Sequence, residues 1–314
     1  MNLDPTYSHI STSFLDYLAW RRAALRIRSY DRYLQYLAVI HKGLAKEEVL
    51  RVFPELIESY EQVSAADEQR RFLEYLEKGY RFLPPNHLLF PKALNLIPDP
   101  PRGLFVWGQQ QALHRPMLAV VGSREPSQIS LEWMEQTLRG FLLKMPEAVL
   151  VSGGARGIDQ AAHRIAIRSG QPTVVFLPSG FDRLYPSQLR SWTDSILANG
   201  GVFVTEYAPE MEMRKSYFSE RNRLISGISA ATLIVEAKER SGTWLTARAA
   251  AEQGRPLFVV PAHPLENSFR GNLLLLSEGA TPVMDAQELV SFFKAEVRFP
   301  YSSLKLSSTG SLEI

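Results

Sequence analysis

From Met117 onward the chain alternates short, wholly apolar runs with stretches of helical periodicity, and few folds accept that rhythm. MLAVVG precedes LEWMEQTLRGFLLK, AVLVSG precedes RGIDQAAHRIAIRSG, and PTVVFLPSG precedes a helical pattern near 186–197. GVFVTE, ATLIVEA and PLFVVP continue the series, with RNRLISGIS and TWLTARAAAEQG between them. Strands that are apolar throughout are buried on both faces, and strands separated by helices run parallel. The pattern predicts a doubly wound α/β domain over 116–296, with a mainly parallel sheet.

Upstream the texture differs. FLDYLAWRRAALRIRSYDRYLQYLAVI and EQRRFLEYLEKGY carry apolar residues at helical spacing, which predicts a small all-helical domain over 1–82. Arg21, Arg22, Arg26, Arg28 and Arg32 cluster there, and a solvated helix face accounts for them better than a phosphate site. Pro84, Pro85, Pro91, Pro98, Pro100 and Pro101 prevent long regular elements, so 83–115 reads as a connector into the sheet domain. Residues 297–314 are polar, serine-rich and aperiodic, the pattern of a flexible tail too short for a winged helix.

Composition narrows the chemistry. With no cysteine, disulfides, thiolate catalysis and cysteine-ligated zinc are excluded. The six histidines show no paired metal-ligand spacing. Neither a secretory signal nor an apolar run of about eighteen residues is present, so a cytoplasmic protein is expected. The net charge of +2 does not by itself nominate a nucleic-acid partner.

Ligands of an open parallel sheet sit beyond the carboxyl ends of its strands, so the residues after each apolar run carry the function. Gly122-Ser123-Arg124 follows the first run: glycine permits close approach, serine offers a hydroxyl and arginine forks onto phosphate. Ser152-Gly153-Gly154-Ala155-Arg156-Gly157 leads into a helix beginning near Asp159, where free backbone N–H groups suit an anion. A tight turn capped by Asp159 is the competing account. Phe218, Arg221, Asn222 and Arg223, placed before the helix LISGIS, combine a stacking ring with phosphate and base donors. The alternatives are a core role for Phe218 and an ion pair from one arginine to Glu206 or Glu236. Ser241, Gly242 and Thr243 stand at the start of the helix TWLTARAAAEQG, with Ser241 and Thr243 available as caps or phosphate donors.

Taken together, these blocks resemble the DNA processing protein A family. The match runs in order from about Leu89 to Val283 through FP, VVGSR, VSGGARGID, LPSGFDRLYP, GGVFVTE, FSERNRLISGIS, LIVEAKERSGTWLTA, AAEQGRPLFVVP and GNLLLLSEGA. The resemblance implies an extended Rossmann-like fold, a homodimer, binding of single-stranded DNA, and loading of RecA recombinase during natural transformation. It carries DNA contact onto Ser123, Arg124, the 152–157 loop, Phe218 and Arg221-Asn222-Arg223, with Ser241 and Gly242 as additions. No catalytic residue, metal or cofactor is implied. The chain departs from the family pattern at Ser127-Gln128-Ile129-Ser130, where members usually show a tyrosine-glycine pair, and at Pro261-Ala262 in place of proline-glycine.

A nucleotide-processing enzyme related to phosphoribohydrolases is the alternative, with Asp159, Glu206 and Glu236 as its candidate carboxylates. Its proline-glycine-glycine motif is absent. Dinucleotide binding is weaker still, since no G-x-G-x-x-G follows the first core strand.

Overall fold

The computed structural model describes residues 8–24, 26–239 and 241–296, with side chains from residue 12 onward. The tail expected over 297–314 lies outside the described residues. Five helices come first: α1 (Ser8–Ala23), α2 (Tyr30–His41), α3 (Lys46–Val52), α4 (Ile57–Gln62) and α5 (Ala65–Glu77). Ser29 and Ser64 cap α2 and α5 by accepting from Arg32 N and Asp67 N, and Asp31, Asp67 and Glu68 in the first turns suit the helix dipoles. The arginine cluster is largely neutralised within this bundle. Arg21 and Arg71 meet Glu68, Arg26 meets Glu58, Arg32 meets Glu55, and Arg22 lies over the Tyr60 ring.

The sheet begins at Tyr80, so its first three residues fall inside the 1–82 stretch expected to be helical. Its strands are β1 (Tyr80–Leu83), β2 (Leu104–Gly108), β3 (Met117–Val121), β4 (Val149–Ser152), β5 (Thr173–Phe176), β6 (Val202–Thr205), β7 (Ala231–Ile234), β8 (Leu257–Val259) and β9 (Thr281–Pro282). They lie in the order β1-β2-β6-β5-β4-β3-β7-β8-β9. The proline-rich connector thus supplies β2, which pairs antiparallel with β1 and β6, while β6 through β9 are parallel. This is an extended Rossmann-like sheet whose winding reverses between β3 and β7.

The helices α6 (Gln128–Lys144), α7 (Ile158–Arg168), α8 (Thr193–Ala198), α9 (Lys215–Ile228), α10 (Gly242–Glu252), α11 (Arg270–Ser277) and α12 (Ala286–Glu296) cover it. Side chains alternate across a strand, and β3 shows the division: Leu118 and Val120 pack with Leu138, Phe141, Ile165 and Phe293 of α6, α7 and α12. Met117, Ala119 and Val121 join the cluster containing Leu224 and Ile225 of α9, Ala247 of α10 and Leu275 of α11.

A third cluster joins the N-terminal helices to the antiparallel end of the sheet. Tyr17, Trp20, Phe72 and Tyr75 pack on Phe82, Phe105, Val175 and Phe203. Phe105 is buried, and its ring meets Tyr17, Trp20, Tyr75 and Phe82 at centroid separations of 6.2, 5.3, 6.0 and 5.0 Å. Because that contact is apolar and shared, helices and sheet form one cooperative unit. Phe105→Ala is expected to cost about 3–5 kcal/mol, with circular dichroism and tryptophan fluorescence reporting one coincident urea transition. Two separated transitions in the unsubstituted protein would show that the bundle folds independently.

Candidate nucleic-acid interface

The loops after β3 and β4 are locked together by close backbone approach. Gly157 has φ of +81°, and a Cβ there would lie 2.3 Å from Ser123 O, so only glycine fits. Ser123 O accepts from Ile158 N at 3.1 Å, and Ser123 N donates to Glu236 O at 2.7 Å at the end of β7. A Cβ on Gly122 would sit 2.7 Å from Ile158 Cγ1 and 3.0 Å from Glu236 O. The ends of three neighbouring strands are thereby fixed relative to one another, and Ser123 and Arg124 are presented at their rim.

The arginine-asparagine-arginine triplet lies inside α9 rather than in a loop before it. That difference decides where each side chain goes, because residues two apart on a helix point about 200° apart. Arg221 turns into the protein and is 4% exposed. Its Nη1 donates to Gly153 O and, at 2.8 Å, to Phe176 O, tying the loops after β4 and β5. Gly153 permits this: a Cβ there would lie 1.7 Å from Nη1. Burial pulls the Arg221 guanidinium down to about 10, opposed by Asp159 and assisted by Arg124, so it remains a cation at neutral pH. Arg223 faces another way, with Nη1 and Nη2 on the Glu206 carboxylate at 2.7 and 3.0 Å and Nε on Asp99 at 2.8 Å. The expected alternative of an ion pair to Glu206 is what forms.

Phe218 is half-buried one turn before Arg221 and Asn222. The Arg124 guanidinium lies over its ring, 5.5 Å from the centroid, and the Tyr185 ring meets it edge-on at 5.5 Å and 86°. Tyr185 is 38% exposed and Arg124 is exposed. Arg156 is exposed beside Gly157, and Lys215 is exposed one turn before Phe218 on the same helix. Arg124, Phe218 and Tyr185 thus bring one cation and two aromatic rings together.

Several expected contact residues lie beneath that rim. Ser152 is fully buried and its hydroxyl donates to Val120 O at 2.6 Å, so it is not free for a ligand. Gly153, Gly154 and Thr243 are buried as well. Gly122, Ser123, Gly157, Asn222 and Ser241 are half-buried, and Gly242 is exposed. Ser241 stands at the N-cap of α10 with no side-chain capping bond, and its hydroxyl oxygen is buried without a hydrogen-bond partner among the described residues. Asp159 sits in the first turn of α7, not at its cap, and accepts from Ala155 N at 3.2 Å; burial raises its pKa, against the pull of Arg221. Tyr185 and Lys215 were not legible as site residues. Helical spacing from Phe218 signals Lys215, but Tyr185 arrives from a distant loop.

The match to known proteins follows this geometry. A family model described as DNA recombination-mediator protein A covers residues 81–294. The chain belongs to that family. DNA processing protein DprA of Streptococcus pneumoniae is 34% identical over 223 residues, 70% of this chain and 78% of that protein. Protein Smf of Escherichia coli is 35% identical over 215 residues, and the match spans 57% of its length. Among solved structures, pneumococcal DprA aligns with a TM-score of 0.73 at 28% identity, covering 93% of this chain and 98% of that one, so the likeness extends into the N-terminal helices. DNA processing protein A of Helicobacter pylori, whose structure concerns its single-stranded DNA binding mode, aligns at 30% identity with a TM-score of 0.60, covering 68% of this chain and 95% of that one.

His163 supports the sheet core from below. Thr173 Oγ1 donates to Leu150 O at 2.8 Å, so it must accept from His163 Nδ1 at 2.7 Å, which fixes the neutral tautomer. Complete burial, with the Arg221 charge adding to it, drives the imidazole from 6.5 to about 3. The unfolded chain therefore binds the extra proton between those values, and stability falls as pH drops through that window. The expected contribution is about 1.4 kcal/mol per pH unit, complete above pH 6.5 and exhausted near 3. His163→Asn, which keeps a donor for Thr173, is expected to flatten the slope of urea stability against pH there. An unchanged slope would mean that other groups set it.

Proposed function

We propose that this chain grips the sugar-phosphate backbone of single-stranded DNA across the loops 122–127, 152–157 and 241–243 and the exposed side of α9. The observation that carries this reading is the pairing of an exposed guanidinium, Arg124, with the half-buried Phe218 ring at the rim of three interlocked strand ends. Arginine neutralises phosphate, and an aromatic face stacks an unpaired base without reading its identity. Arg156 and Lys215 extend the cationic rim, and the half-buried Ser123, Gly157 and Asn222 with the exposed Gly242 offer amides and polar side chains along it. Family membership and the single-strand binding of the Helicobacter pylori relative support the same assignment.

In this reading the protein is not a catalyst. It acts in the cytoplasm as a homodimer, protects incoming single strands and loads RecA recombinase onto them during natural transformation. Two rims on one particle raise the effective concentration of a strand that engages both. The half-buried Leu273, Leu274 and Leu276 on α11 supply the apolar face for dimerisation. Against a nucleotide-processing enzyme stand the engagements of its candidate carboxylates: Glu206 with Arg223, Glu236 with Ser127 and Ser130, and Asp159 with Ala155 N.

Burial divides the arginines into contacts and supports, and salt titration separates the two. Arg124→Ala removes a phosphate contact, so binding to an oligonucleotide is expected to weaken and the slope of log affinity against log salt to fall by about 0.7. Arg221→Lys keeps the charge but cannot bridge Gly153 O and Phe176 O as before. Its expected effect is weaker binding at every salt concentration with the slope retained. Phe218→Ala is expected to cost about 1–3 kcal/mol of binding, again with the slope retained. A flat salt dependence for the unsubstituted protein, or equal affinity for single and double strands, would overturn the assignment.

A further inference from the structure

The reversal of winding between β3 and β7 creates the crevice in which sheets of this topology hold a diphosphate, with the helix after the first core strand presenting its N-terminus. Here that helix is α6, capped by Ser127, and its N-terminus is already taken. Glu236, at the end of β7, is fully buried. Its Oε2 accepts from Ser127 N at 2.8 Å, Ser127 Oγ at 2.7 Å and Ser130 Oγ at 2.6 Å. Its Oε1, also buried, has no hydrogen-bond partner among the described residues. All three donors converge on one oxygen, as they would on a phosphate oxygen.

We propose that Glu236 is a built-in anion that fills the helix-terminal site of the switch crevice and thereby specifies against free nucleotides. The backbone closes the crevice further, since Ser123 N bonds Glu236 O at 2.7 Å and Gly122 has no room for even a Cβ. A nucleoside diphosphate seeking α6 must displace a carboxylate tethered to the sheet, at an effective concentration no free ligand matches. A phosphodiester strand passing over the rim of Arg124 and Phe218 need not enter the crevice. This consequence for ligand choice rests on the single-stranded DNA reading; the filling of the site does not.

Anion rescue in the full chain tests the idea. Arg124→Ala, carried in every protein compared, removes an exposed guanidinium that answers to the same anions. In that background Glu236→Ala is expected to melt lower in chloride and to regain stability saturably with acetate or pyrophosphate. A gain of about 3 °C or more beyond chloride at equal ionic strength is expected. The parent with Glu236 present is expected to show no saturable gain. Glu236→Gln keeps an acceptor for all three donors, so its site stays filled and no acetate response is expected.

Equal responses of the Ala variant and its parent to acetate and pyrophosphate would overturn the proposal, as would a parent that binds pyrophosphate saturably. If the Ala variant folds only when refolded with about 100 mM acetate, the requirement for a small anion supports it; if acetate does not restore folding, the proposal fails. A single-strand titration of the unsubstituted protein is read separately: no binding there removes the DNA reading and leaves the anion result standing.

Discussion

The approach of Gly157 to Ser123 is the constraint on which the rest of the interface depends. It brings the turn after β4 within van der Waals reach of the turn after β3, where any side chain at 157 would collide with backbone. Once these turns are locked, Ile158 N and Glu236 O find their partners on Ser123, and Arg124 has one place to emerge. Loops ordinarily carry high mobility. These are instead backbone-to-backbone contacts, so the groups they present incur little ordering cost when a ligand arrives.

Charge is distributed by the same logic. The total of +2 conceals how the cations are placed, since many of them are paired or packed within the fold. In the N-terminal bundle they meet Glu55, Glu58 and Glu68; on α9, Arg223 meets Glu206 and Asp99. Arg221 is a cation with carbonyl partners and Asp159 nearby, which makes it a strut carrying charge rather than a surface group. Of the cations exposed at the strand ends, which include Arg183, Arg214 and Lys238, those beside the Phe218 ring and the glycine turns are Arg124, Arg156 and Lys215. Their effect comes from position over an aromatic ring and beside glycine turns, not from number.

The parallel core was legible because burial on both faces leaves a direct mark: MLAVV, VLVS, TVVF, VFVT and ATLI are buried at every position and carry no charge and at most one small hydroxyl residue each, and turn glycines punctuate them. The antiparallel extension was not legible. YRFL and LFVWG are short and lie among prolines, and what makes them strands is pairing with β6, a contact distant in sequence. In the interface, the glycine loops were visible from their spacing, whereas the burial of Ser152 and Thr243 was not, since small hydroxyl residues suit a buried backbone bond and a ligand equally. The phase of α9 was not legible either. Starting that helix at Leu224 leaves Arg221 and Arg223 as equals; starting it at Lys215 separates them by most of a half-turn.

That phase explains how one helix does two kinds of work. Lys215, Phe218 and Asn222 follow each other at three- and four-residue steps along the side that meets Arg124. Arg221 lies on the adjoining buried stripe, where its guanidinium reaches two loops at once. Arg223 is held on a further side by Glu206, whose own burial raises its pKa against the pull of that arginine. An insertion of one residue ahead of Phe218 would rotate the helix face by about 100°. It would turn Arg221 off its carbonyl partners and the Phe218 ring away from Arg124 without changing the composition.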